Sequence, residues 1–254
     1  MNAEEKLLTA KTADLFRLCD KYCQPQFSFF LNEAEQAIIK REIGVGYGYN
    51  CKYFGGYEGS KRAVLGVFPE WQEADGKDFP IKAVKITKNY IKELTHRDYL
   101  GSILSNGITR EQVGDIIVEE NCAYAFIIAD VADFVAMNLK KIGNIGVRTQ
   151  IVDATKIKPP EQKFQIINAV AASARLDAVT AAMLKLSRRE AASLILGGGV
   201  SVNHILVEDT SNAIKEGDII SVRGYGRFLF CGSTGETRSQ RIHVVIKKYI
   251  KKNI

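Results

Sequence analysis

No apolar run in this 254-residue chain reaches the roughly 18 residues that carry a helix across a bilayer. The nearest stretch, CAYAFIIADVADFVAM, is interrupted by Asp130 and Asp133, so no membrane segment is expected. Cysteine is scarce and scattered. The five residues, Cys19, Cys23, Cys51, Cys122 and Cys231, are odd in number. Cys19 and Cys23 lie one helical turn apart, but no second ligand pair has matching spacing. A disulfide framework and a metal site are therefore not expected; thiols in a reducing cytosol fit better. The amino-terminal MNAEEKLLTAKTADLF is amphipathic and carries acids, unlike a signal peptide, so a cytoplasmic location is expected. Internal repeats and low-complexity tracts are absent. What is present is ordinary globular composition, 46% apolar and 25% charged, in a length that suits one large domain or two or three small ones.

Signatures of catalysis fail on context. HRDYLGS, from His96, resembles a kinase catalytic loop, but no glycine-rich strand–lysine pair precedes it and no Asp-Phe-Gly follows. His96, Arg97 and Asp98 begin a helix and are either RNA contacts or a solvated turn. GVGYGY, from Gly44, resembles a dinucleotide loop, but it follows a helix instead of joining a strand to one. GGGV, from Gly197, lacks the Gly-Lys-Ser/Thr of a phosphate loop and ends a helix. RLDAVT, from Arg175, resembles the Arg-Leu-Asp-x-x-Thr of pseudouridine synthases, but continues Ala-Ala-Met where they have Ser-Gly. Asp177 is therefore expected to position a helix through a nearby arginine. No nucleophile–base pair, metal cluster or cofactor loop survives, so no catalytic residue and no cofactor is expected, and the chain reads as a non-enzyme.

Charge is unevenly placed. From Ser173 to the end there are 13 Lys and Arg against 7 Asp and Glu, while residues 1–172 hold 22 of each. The whole formal excess of +6 sits in the last third. A basic terminal module on a neutral body suggests an anionic partner, nucleic acid before membrane. On this ground residues 160–254 are expected to bind RNA more tightly than residues 1–155.

Periodicity divides the chain into three modules, an amino-terminal α/β module at 1–75, a middle module at 79–155 and a carboxy-terminal module at 164–254, giving an α+β fold. In the first, Leu7, Leu8, Ala10, Leu15, Leu18 and Cys19 form one broad helical face. Asn32 and Glu35 make a capping box for a second helix that Gly44 can end, and two strands follow around a glycine turn. The middle module reads IKAVKIT strand, THRDYLGSILSNG helix, GDIIVEE and AYAFIIA strands, DVADFVAMNLKKIG helix, GVRTQIV strand. That is the ferredoxin-like β-α-β-β-α-β order. RNA-recognition folds share it, but the glycine-aromatic motif of their central strand is missing. KIKPPEQK, residues 156–163, is a linker, and FQIINAVAASARLDAVTAAMLKL is expected to be helical.

In LSRREAASLILGGGVSVNH, Ser187 and Glu190 form a capping box, Ala191, Leu194 and Ile195 give an apolar face, and Gly197, Gly198 and Gly199 end the helix. Leu176, Val179, Met183 and Leu184 of the preceding helix are placed to pack against it. VSVN and DIISVRG have strand character, so two short helices and a small sheet result. Arg188 and Arg189 then occupy the first turn, where the helix dipole disfavours cations. The same end offers free N–H groups to an anion. Either a phosphate is the guest, or both side chains turn to solvent or pair with Asp177 or Glu190. On the first alternative, replacing both by alanine leaves the fold intact or slightly more stable. Tyr225 and Phe228 lie beside Arg223 and Arg227, where a base could stack; core packing is the other role for Phe228, and Tyr225, between two glycines, is expected to be exposed.

The order Arg-Leu-Asp, Leu-Ser-Arg-x-x-Ala, Gly-x-Val-x-Val-Asn, Gly-Asp-x-Ile-x-Val-Arg closely resembles the RNA-binding domain first known from ribosomal protein S-four. The resemblance implies an RNA-facing groove formed by the paired helices and the adjoining strand edge. It falls on Arg175, Asp177, Ser187, Arg188, Arg189, Val202, Asn203 and Arg223. His204 departs from the usual small or basic residue. Lys185, His204, Tyr225 and Arg227 complete the candidate set. Further, ISVRGYGRF with GSTGETRSQRIHVVIKKY, LTHRDYLGSILSNGITREQVGDIIVEE, FLNEAEQAIIKREI and FGGYEGSKRAVLGVFPEW are similar to the bacterial YlmH-like proteins. That resemblance implies a cytoplasmic protein that binds rRNA or tRNA on the large ribosomal subunit, in quality control of stalled nascent-chain complexes, with a link to the cell-division gene neighbourhood. The other classes left open are an RNA-modifying enzyme of pseudouridine-synthase type and an adaptor for cell-division proteins.

Overall fold

Asn32 shows how local chemistry sets the first elements. Its side-chain oxygen accepts the amides of Ala34 and Glu35 at 2.9 and 3.0 Å, and the Glu35 carboxylate accepts the Asn32 amide. The computed structural model describes residues 3–43, 49–90, 93–154, 157, 161–236 and 240–250. Gly44, expected to end the second helix, and residues 156 and 158–160 of the expected linker lie outside the described residues. Two compact units are present, Met1–Pro160 and Glu161–Asn253.

The first unit begins α1 (Ala3–Tyr22), β1 (Gln26–Leu31), α2 (Glu33–Glu42), β2 (Tyr49–Phe54) and β3 (Ala63–Pro69). The strands form an antiparallel sheet in the order β1-β3-β2. β1 was not legible as a strand in the sequence. Cys19 and Ile39 of the helices pack on Leu31, Leu65 and Val67, with Leu8 and Leu15 at the margin. The apolar face of α1 is narrower than its periodicity suggests, because Leu7 and Leu18 stay exposed.

There follow β4 (Ile81–Lys88), α3 (His96–Leu104), β5 (Val113–Val118), β6 (Cys122–Ile128), α4 (Ala129–Asn138), β7 (Lys141–Ile142) and β8 (Ile145–Val152). The strand order β5-β6-β4-β8-β7, with every neighbour antiparallel, is the ferredoxin-like arrangement plus one short edge strand. The α4 helix ends earlier than expected. Lys140 and Lys141 leave it, and a two-residue turn, Gly143–Asn144, pairs Ile142 with Ile145; Gly143 takes φ 56° there. One sheet face packs on α3 and α4 through Tyr99, Ile103, Ala132 and Val135. The other shares a core with the first sheet, where Ala83 and Phe126 cluster with Phe30, Val64 and Phe68. Asp115 ties the two sheets, accepting Tyr57 Oη–H at 2.8 Å and the Lys61 amide at 2.7 Å. Burial pushes the Tyr57 phenol strongly up, and the Asp115 charge adds to it.

The second unit contains β9 (Phe164–Ala171), α5 (Leu176–Leu184), α6 (Arg188–Leu196), β10 (Val200–Val202), β11 (Ile205–Leu206), β12 (Ile219–Val222), β13 (Gly226–Glu236) and β14 (Ile242–Tyr249). The sheet is six-stranded, in the order β11-β10-β12-β13-β14-β9. The expectation of a helix from Phe164 is corrected here. Residues 164–171 pair along their full length with β14, and their even and odd positions take opposite faces, so a partner some eighty residues downstream decides the conformation. The sheet is also larger than the sequence suggests, because β13 and β14 form a long hairpin. One face carries Val200, Val202, Ile220, Val222, Phe228, Phe230, Val244 and Ile246 into a core with Leu176, Val179, Met183 and Ile195. No helix among the described residues is long and apolar enough to cross a membrane.

Candidate nucleic-acid interface

Helix α5 ends because Lys185 enters the left-handed region at φ 57°, with its amide donating to Ala181. Three residues later α6 is under way. Ser187 caps it, accepting the Glu190 amide at 3.2 Å, while the Glu190 carboxylate accepts the Ser187 amide at 2.8 Å. Of the three glycines that follow, only Gly198 has positive φ, at 64°; a Cβ on Gly199 would lie 2.9 Å from the Leu194 carbonyl, so that glycine permits a close approach.

The two arginines of the first turn separate. Arg188, though exposed, reaches back to donate to the Asp177 carboxylate. Asp177, only 6% exposed, also accepts the Ala178 amide at 2.8 Å and Arg175 Nε at 3.2 Å. Burial alone would raise its pKa. The hydrogen bond and charge of Arg188, the Ala178 amide and the charge of Arg175 outweigh burial and hold the carboxyl below its ordinary value. Asp177 is thus a buried counter-ion joining the starts of two helices. For Arg188 the structure shows the alternative in which it pairs with Asp177, so its removal is expected to cost stability. Arg189 is exposed and makes no ion pair among the described residues. It lines an open cleft with Leu186, Ser187, Glu190, Ser193, Leu194 and Tyr225. Tyr225, 41% exposed, is held there by Gly224 and Gly226, both at positive φ. Lys185 and Arg223 are exposed, and the Arg223 amide donates to Gly199 at 2.9 Å.

The remaining candidates form a second group. Val202 is buried in the core. Asn203 and His204, at φ 49° and 69°, make the two-residue turn joining β10 to β11. The Asn203 side chain donates to Asp218 at 2.8 Å and accepts the Ile219 amide at 2.9 Å. His204 Nε2 lies 3.3 Å from Arg227, whose guanidinium sits 5.4 Å from the centre of the Tyr249 ring. Phe228 is in the core. Sequence reasoning missed Tyr249, although the strand alternation that carries it was the available signal. Among the described residues no group of three or more His, Cys, Asp or Glu could hold a metal ion, and all five cysteines are free.

The model described as "Putative RNA-binding domain in YlmH" matches residues 75–156, and the S4 domain model matches residues 174–220. The chain is 30% identical over 250 residues to the "Ribosome-associated protein quality control protein P2" of Bacillus subtilis (strain 168), covering 96% of this chain and 95% of the relative. The chain belongs to the YlmH family. A solved structure, "Cell division protein ylmH from Streptococcus pneumoniae", is similar in fold, with a TM-score of 0.54 at 23% identity over 62% of this chain and 97% of that one. In this YlmH-family chain the S4 match ends at residue 220. It therefore contains α5, α6 and the Asn203 turn, whereas Arg223, Tyr225 and Arg227 lie just beyond it.

Proposed function

We propose that this protein binds structured RNA through the face formed by the starts of α5 and α6, and that the module at 164–254 carries this activity. The observation that supports it best is the exposed Arg189 in the first turn of α6, beside the uncovered Tyr225 and close in sequence to Lys185. A cation there opposes the helix dipole in the free protein and gains when a phosphate arrives. Arg175 and Arg188 flank the same site, each sharing its charge with Asp177. The +6 excess confined to the last third supports an anionic partner. The similarity to the Bacillus subtilis protein supports a ribosome-associated role. We assign it to the large subunit, where rRNA and the tRNA of a stalled nascent chain are the RNAs within reach, and we assign no catalytic step to the protein. The matched model described as a putative RNA-binding domain supports RNA as the partner. Sedimentation of the full chain with purified large subunits tests this. Wild type is expected to co-sediment, and Arg189→Glu to lose most of that binding. Equal co-sedimentation of the variant overturns the assignment of the site.

A further inference from the structure

We infer that the open face of the six-stranded sheet is a second nucleic-acid surface, separate from the helix starts, and that it takes single-stranded RNA by stacking. The face follows from the register. Pairing of β14 with β9 sets Tyr249 opposite Phe164, Lys247 opposite Ile166 and His243 opposite Val170, on the side away from the helices. Arg227 of β13 falls on the same side, between Ser221 of β12 and Tyr249. The aromatic rings of Phe164 and Tyr249 meet at 5.0 Å and 62°. Each carries a cation, with Lys247 Nζ 5.7 Å from the Phe164 centroid and the Arg227 guanidinium 5.4 Å from that of Tyr249. Phe164 is 37% and Ile166 63% exposed.

Charge decides the occupant. β9, β10, β11, β12 and β14 contain no Asp or Glu, and β13 has only its terminal Glu236. An apolar and aromatic surface to which Arg227 and Lys247 bring cations is complementary to a polyanion with exposed ring faces. A second copy fits badly, since it would bring the cations Arg227 and Lys247 of both copies to one face. Duplex RNA keeps its base faces stacked inside the helix, so it cannot use the rings; unpaired bases can. The surface extends the proposed function from one RNA contact to two of different kind.

The test uses the full chain with a fluorescein-labelled oligoadenylate of about 12 nucleotides, within the usual span of such sites, and a blunt RNA duplex of the same length, read by anisotropy. Wild type is expected to bind both. Phe164→Ala with Tyr249→Ala should weaken single-strand binding at least about tenfold, and leave duplex binding within about twofold. Arg189→Glu should do the reverse. Tyr249→Phe keeps the ring and should retain single-strand affinity, whereas Tyr249→Leu should lose it; this pair decides the matter even where the double variant folds poorly. Three results overturn the inference: no oligoadenylate binding by wild type, which leaves the face to a protein partner; wild-type affinity in Tyr249→Leu; or equal losses of both RNAs in the aromatic and Arg189 variants, which means one shared surface. An Arg189→Glu protein that binds duplex normally sinks the proposed helix-face site instead and leaves this one standing.

Discussion

Arg188→Ala and Arg189→Ala should have opposite effects although the residues are neighbours on one helix turn. Removing the Arg188 side chain leaves Asp177, 6% exposed, with Ala178 N–H and the more distant Arg175. Breaking a fully buried pair costs about 3–5 kcal/mol, and a surface pair is worth about 1 kcal/mol at most. The Arg188 side chain is 56% exposed, so the cost falls between these limits, about 1–2 kcal/mol. For a unit of this size each kcal/mol corresponds to a fall of roughly 4–8 °C in thermal midpoint. Arg189 makes no ion pair among the described residues, so its loss should be neutral or relieve a few tenths of a kcal/mol of unfavourable dipole interaction, about 0.3 kcal/mol at an exposed site. RNA binding reverses the ranking of interest: Arg189→Ala should lower the salt slope by about one, the value of one lost phosphate contact. The assays are thermal unfolding and salt-dependent affinity, with a double-mutant cycle of Arg188→Ala and Asp177→Ala to isolate the pair. Coupling below about 0.5 kcal/mol in that cycle, or an Arg189→Ala protein as destabilised as Arg188→Ala, would refute the division of roles.

Three further outcomes follow from the same geometry. Ser187→Ala should cost about 1 kcal/mol by uncapping α6, measured by denaturant titration, and a loss near zero would mean that the capping box is ornamental. Asp177 has a folded pKa below its unfolded value, so its stabilising contribution is complete above the unfolded value of about 3.9 and vanishes as pH falls through the folded one. The stability gap between wild type and Asp177→Asn should therefore be constant from neutral pH to about 5 and close below about 4; a gap that persists in acid contradicts the ion-pair account. Gly56→Ala should destabilise the first unit by about 2–4 kcal/mol, because its Cβ would lie 2.2 Å from the Phe126 ring at φ 101°; hydrogen-exchange protection of β6 reports the effect.

The sequence was most legible where structure is decided within one helix turn. Asn32 with Glu35 and Ser187 with Glu190 both form their boxes, because a cap at one position and an acid three residues on need no information from elsewhere. The ferredoxin-like order was also readable, since its strands and helices differ clearly in period. What failed depended on distant partners. Phe164–Ala171 runs into small residues that suit a helix, and only β14 makes it a strand. In β1, Phe27 and Phe30 find their partners on β3. The alternatives for Arg188 included Asp177, but choosing between Asp177 and Glu190 needed the approach of α5 to α6. Asn203 was marked through the family resemblance, yet its side chain is committed to Asp218 and Ile219, so it shapes the turn that presents its neighbours.

The paired arginines acquire a single explanation from helix geometry. Consecutive residues on an α-helix point about 100° apart, so the two side chains of an Arg-Arg dipeptide at a helix start leave the helix in different directions. Here the first charge is drawn back by a carboxylate that α5 supplies, and the second is left facing the cleft beside Tyr225. The buried Asp177 therefore limits how much positive charge the helix starts present, because two of the three nearby arginines share it. Arg189, Lys185 and Arg223, which make no ion pair among the described residues, stand at a helix start, in an interhelix turn and at a strand end. On the proposed function, cations carried by three different elements meet several phosphates of a folded RNA backbone and not one small anion.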